Sequence, residues 1–162
     1  MLRSILVART LNLLFSLCLL TACSAPSPPL PPPEQQTGAG FPASYSSSQR
    51  SADEIALGIT ILGIIPTSGG YMLDFRYRVD DPDKSAPMFV RKTIPYLIHE
   101  KNGAKYMVPA PAKIGPMRQT TRNPQQGRHY FIFFANPSGA IKSGDLVTVV
   151  LGDYRFPHLK VL

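Results

Sequence analysis

Tyr71-Met72-Leu73-Asp74-Phe75-Arg76-Tyr77-Arg78-Val79 runs with a period of two over nine residues. Tyr71, Leu73, Phe75, Tyr77 and Val79 fall on one side, and Met72, Asp74, Arg76 and Arg78 on the other. Successive side chains of a strand point to opposite faces, so this spacing predicts a strand with one buried and one wet face. Such strands belong to antiparallel sheets, where one face packs against a core and the other meets water.

Working outward, the signals stay β. Upstream, residues 59–65 form a β-branched run closed by Pro66, Ser68, Gly69 and Gly70. Ahead of that run, Ser51-Ala52-Asp53-Glu54 fits a capping box and predicts one short helical turn. Downstream, Asp80-Asp81-Pro82-Asp83-Lys84 predicts a loop, and residues 88–91 a short edge strand. Ile94, Tyr96 and Ile98 share one strand face, with Pro95 demoting the start of that strand to an edge or a bulge. Asn102-Gly103 suits a two-residue type I′ turn leading into a strand over 105–108. Residues 109–127 carry four prolines and little periodicity, and strands follow over 129–135, 146–151 and 154–161.

About seven short strands without helical crossovers exclude parallel α/β folds. The expected fold is all-β: an antiparallel sandwich of the immunoglobulin or fibronectin type, with a small β-barrel as the alternative. The paired cysteines and the tryptophan of true immunoglobulin domains are missing from the sequence.

The N-terminal third has a different composition. Arg3 and Arg9 precede an apolar stretch, Leu11 to Leu20, and then Leu20-Thr21-Ala22-Cys23. That is the order of a secretory signal peptide, and the apolar stretch falls short of the ~20 residues a spanning helix needs. Leu20-Thr21-Ala22-Cys23 resembles the lipobox of bacterial lipoproteins. The resemblance implies cleavage before Cys23 and attachment of lipid, palmitate included, to its thiol. Ser24 follows the cysteine where an Asp often retains such proteins at the inner membrane, so the implied address is the periplasmic face of the outer membrane. The expected organisation is a signal peptide over 1–22, a lipidated cysteine and tether over 23–51, and a sandwich domain over 52–162. Seven prolines and seven serines in residues 24–51 favour extended polyproline segments over a packed core. With Cys18 in the leader and Cys23 taken by lipid, the domain has no thiol for a disulfide, a metal or nucleophilic catalysis.

The formal charge is +7, and removing the leader leaves 15 Lys and Arg against 10 Asp and Glu. That balance favours an acidic partner, whether an anionic lipid, a glycan or an acidic patch on another envelope protein; export argues against nucleic acid. No Gly-x-Ser-x-Gly, Ser-x-x-Lys, Gly-x-Gly-x-x-Gly, P-loop or His-Glu-x-x-His motif occurs, so no enzyme activity is expected. His99, His129, Met107 and Met117 are the candidates for a soft ion such as copper. None stands at a tight ligand spacing, so no metal or cofactor is assigned. Asp80, Asp81 and Asp83 lack the Gly and the distal Glu of a calcium loop. Lys113, Arg118, Arg122 and Arg128 fall within 16 acid-free residues of the longest loop, which makes them the candidate contact surface.

Overall fold

A computed structural model describes residues 50–162. The expected signal peptide, the lipobox at Cys23 and all but the last two residues of the tether lie outside the described residues. The domain opens on the helical turn α1 (Ala52–Ala56) and continues as seven strands: β1 (Ile59–Thr67), β2 (Met72–Val79), β3 (Tyr96–His99), β4 (Lys105–Met107), β5 (His129–Ala135), β6 (Leu146–Leu151) and β7 (Tyr154–Lys160).

The capping box forms, and it does more than close one turn. The Glu54 backbone N–H donates to Ser51 Oγ, and the Ser51 N–H donates to Glu54 Oε2. The second oxygen, Oε1, accepts the Ile61 N–H at 2.8 Å, so a buried carboxylate also satisfies the edge of β1. Gly58 then turns the chain into β1 with φ +56°, and its carbonyl accepts the N–H groups of both Asp80 and Asp81. A Cβ at position 58 would stand 2.5 Å from the Asp81 Cβ, so only glycine fits.

All named strand pairs are antiparallel, in one sheet ordered β1-β2-β5 and another ordered β4-β3-β6-β7. The two sheets stay open, so the fold is an all-β sandwich and the closed-barrel alternative does not hold. Leu73, Phe75, Tyr77 and Val79 of β2 face Leu97 of β3, Val147 and Val149 of β6 and Phe156 of β7 in a single apolar core. Stacked and tilted rings run through it from Phe156 to Phe75, Tyr77, Tyr130 and Phe89.

Four local expectations need correction. Tyr71 does not continue the buried face of β2: it ends the preceding 3-10 turn and is 63% exposed. Residues 88–91 are no edge strand, because Ala86–Phe89 winds into a 3-10 turn with Pro87 near its start, burying Met88 and Phe89. Pro95 precedes β3 without demoting it, since β3 lies inside its sheet with Leu97 and His99 inward and Tyr96 and Ile98 outward. The β3–β4 link is the stretch 100–103, closed by His99 N–H to the Ala104 carbonyl, rather than a two-residue turn.

The sheet edges are largely covered. Along β5, Phe133 N–H donates to the Met117 carbonyl, while Gln119 N–H donates to the Phe131 carbonyl and its Oε1 accepts the Phe131 N–H. Along β1, Ile64 accepts the Leu162 N–H and bridges Val161. On β7, Pro157 lacks a donor, and on β4 only three residues pair. Blunted edges disfavour pairing with a further strand.

Candidate functional site

The register places the loops at two ends of the sandwich. Ile59 pairs with Val79, His129 with Arg78, Tyr96 with both Met107 and Val150, and Leu151 with Tyr154. The start of β1, the β2–β3 and β4–β5 connections and the β6–β7 turn therefore share one end. Asp53 of α1, just before β1, accepts the Arg155 N–H of β7 there at 2.7 Å, which ties the two sheets at that end. The described chain also enters at this end, with Arg50 bonded to Asp80 at 2.9 Å.

The charge is not spread evenly. Residues 84–128 hold nine Lys and Arg against a single acid, Glu100, whereas residues 50–83 together with 129–162 hold six against eight. The domain's positive balance thus comes from the β2–β3 and β4–β5 connections and the hairpin between them. Four exposed apolar side chains belong to the same segment: Val90, Ile94, Met107 and Ile114, the last 76% exposed.

The four predicted contact residues do not form one surface. Lys113 and Arg122 are exposed. Arg128 is exposed but lies over the Tyr130 ring, 5.6 Å from its centroid. Arg118 is a correction: it is buried, and its Nη2 donates to the Val90 carbonyl at 2.6 Å. Burial pulls its guanidinium pKa down, against the opposing influence of Tyr77, and burial pushes the Tyr77 hydroxyl up. Arg118 points inward because the backbone around it pairs with β5, so alternation along this stretch turns its side chain under the loop. It braces the β4–β5 loop against the β2–β3 loop. Arg118→Gln is expected to cost roughly 1–3 kcal/mol through the lost charge-assisted bond. Lys113→Gln and Arg122→Gln should stay within about 0.5 kcal/mol. Denaturant midpoints of the three variants check this, and three equal values would rule out the brace.

The ion candidates stand on four different elements. His99 is buried at the far end of β3, with Nε2 3.6 Å from Asp145 Oδ2. Met107 lies opposite Tyr96 at the other end of that strand, His129 opens β5, and Met117 packs partly against the core. Burial and the charges of Arg78 and Arg76 hold the His129 pKa below its usual value, which disfavours the imidazolium. No group of three or more His, Cys, Asp and Glu side chains converges among the described residues. The aspartate loop is committed elsewhere. Burial opposes ionisation of Asp80, but hydrogen bonds from Thr60 and Arg78 and the charges of Arg78 and Arg50 outweigh it and hold its pKa low. Asp81 Oδ1 accepts the N–H groups of Asp83 and Lys84, a side-chain-closed turn.

Sequence reasoning missed Arg91 and Lys92, which are exposed in the β2–β3 connection, and the apolar tips beside them. A running charge count along the chain would have found the cations. The tips carry no such signal, because an isolated Ile in a loop resembles a core residue until the fold is known.

The fold is an all-β sandwich whose β2–β3 and β4–β5 connections carry exposed cations and exposed apolar side chains. Compared with protein-family models, with curated proteins and with solved structures, the chain matches none.

Proposed function

We propose that the protein is a lipid-anchored component of a bacterial envelope, tethered through Cys23 at the periplasmic face of the outer membrane, whose sandwich is a non-catalytic binding or assembly module. The observation that carries this reading is the pairing of exposed apolar tips with neighbouring cations in the β2–β3 and β4–β5 connections, Val90 beside Arg91 and Lys92 and Ile114 beside Lys113. A tethered module with a charged end needs no reacting centre. Its partners by chemistry are an acidic lipid, a glycan or an acidic surface on another envelope protein.

Strand order supports membership of the immunoglobulin and fibronectin type of sandwich. Taking β1, β2 and β5 as strands A, B and E, and β3, β6 and β7 as C, F and G, the first sheet carries A-B-E and the second C-F-G, with β4 added beside C.

The anchor is tested at its attachment point. Cys23→Ala in cells should abolish incorporation of a labelled fatty-acid analogue and release the protein from the membrane fraction. Normal labelling of the substituted chain would end the lipoprotein reading.

A further inference from the structure

We infer that the entry end of the sandwich is a membrane-docking surface, fitted to an anionic phospholipid bilayer. This deepens the reading above and rests on it for the anchor. Isolated exposed aliphatics are ordinary on protein surfaces. Of the seven large apolar side chains exposed among the described residues, Tyr71 and Leu146 stand at the opposite end, whereas Val90, Ile94, Met107 and Ile114 gather at this one on three connected elements. Their sequence neighbours matter as much. Val90 runs directly into Arg91 and Lys92, and Lys113 directly precedes Ile114. An aliphatic tip beside a cation suits the lipid interface: the tip enters the acyl boundary while the cation stays at the phosphates.

The tips are held rather than loose. Met117 N–H donates to the Pro109 carbonyl at 2.9 Å, closing the excursion that carries Ile114. At its apex Ile114 and Gly115 both donate to the Pro111 carbonyl, and Gly115 takes φ +78°. Val90 is fixed from behind by the Arg118 guanidinium. A preorganised tip loses little conformational freedom on insertion.

Two observations favour a bilayer over an acidic protein. The tips stand on separate loops, an arrangement a fluid surface accepts without shape matching. The described chain enters at the same end, with Arg50 bonded to Asp80. Tethering holds the domain at an effective concentration of roughly millimolar, so weak docking suffices.

The test uses the mature chain, residues 23–162, with Cys23→Ser so that no lipid is attached. It should co-sediment with vesicles of mixed phosphatidylglycerol and phosphatidylcholine, less so as salt rises, and hardly with phosphatidylcholine alone. Arg91→Gln, Lys92→Gln, Lys113→Gln and Arg122→Gln together should lower the partition coefficient at least ~100-fold, given roughly fivefold per cation near an anionic surface. Ile94→Ser with Ile114→Ser should weaken binding without removing its salt dependence. Lys101→Gln with Lys142→Gln, at the opposite end, should bind like the unsubstituted chain. The proposal is overturned by equal binding to both vesicle types, by an unaffected quadruple variant, or by an equal loss in the opposite-end pair. A preference for polyglutamate over the mixed vesicles would overturn it too, and would reassign the surface to an acidic protein. Failure here leaves fatty-acid labelling of Cys23 untouched, and failure of labelling leaves vesicle binding untouched.

Discussion

Phe75→Ala is expected to destabilise the domain by about 3–5 kcal/mol, the range for deleting a buried aromatic ring. Phe75 is fully buried on β2, and its ring stacks 6.4 Å from that of Phe156 on β7, in the opposite sheet. It also lies 5.9 Å from Tyr77. Removing it therefore opens a cavity between the two layers, at a point where neither sheet can collapse without shifting the other. A domain of this size has a total stability of roughly 5–15 kcal/mol, so the variant should retain its fold with a much lower denaturant midpoint. Phe131→Ala makes the control: it is on the other face of β5, half-exposed, and should cost far less. Equal losses in the two variants would mean that the inward face of the β1-β2-β5 sheet is misassigned.

How much of this was legible follows from range. The period of two along β2 needs only neighbours in sequence, and it placed Leu73, Phe75, Tyr77 and Val79 in the core. The capping box at Ser51 and Glu54 is equally local, and it formed. Asp74 shows where local reading ends. Its place on the outer face was legible, but its burial was not, because that depends on strands remote in sequence. Ile65 and Phe133 flank it in register on β1 and β5, and burial raises its pKa against the lowering influence of Arg76. Residues 88–91 failed for another reason. A short apolar run has no periodicity to separate a strand from a single tight turn.

The candidate site was legible in charge and not in direction. Lys113, Arg118, Arg122 and Arg128 are alike as letters in an acid-free loop. Which of them faces solvent is set by the pairing of residues 117–119 with β5, a contact across the chain that no local pattern announces. Arg118 therefore reads as a surface residue from sequence alone, but it lies beneath the surface and supports the loop that carries Val90.

The other large effect is expected at Asn136, in the connection between β5 and β6. Asn136 is fully buried, and its amide makes three hydrogen bonds. Nδ2 donates to the Gly70 carbonyl at 2.7 Å and to the Ile141 carbonyl at 2.8 Å, while Oδ1 accepts the Ile141 N–H at 3.0 Å. The side chain thereby joins the β5–β6 corner to the β1–β2 turn. Asn136→Ala leaves these backbone groups without their side-chain partner at a buried position. At about 1–3 kcal/mol for each buried group left unpaired, the loss should reach roughly 3 kcal/mol or more. Asn136→Asp separates hydrogen bonding from packing. It keeps the shape and the acceptor for Ile141 N–H, but it aims a carboxylate oxygen at two carbonyls. It should therefore be at least as damaging as alanine near neutral pH, and milder in acid, where the protonated carboxyl regains one donor. Denaturant midpoints give the size of the effect, and hydrogen exchange at the Ile141 amide reports whether the corner itself has opened. Two near-neutral variants would mean that the backbone bond from Asn136 N–H to the Tyr71 carbonyl holds the corner by itself.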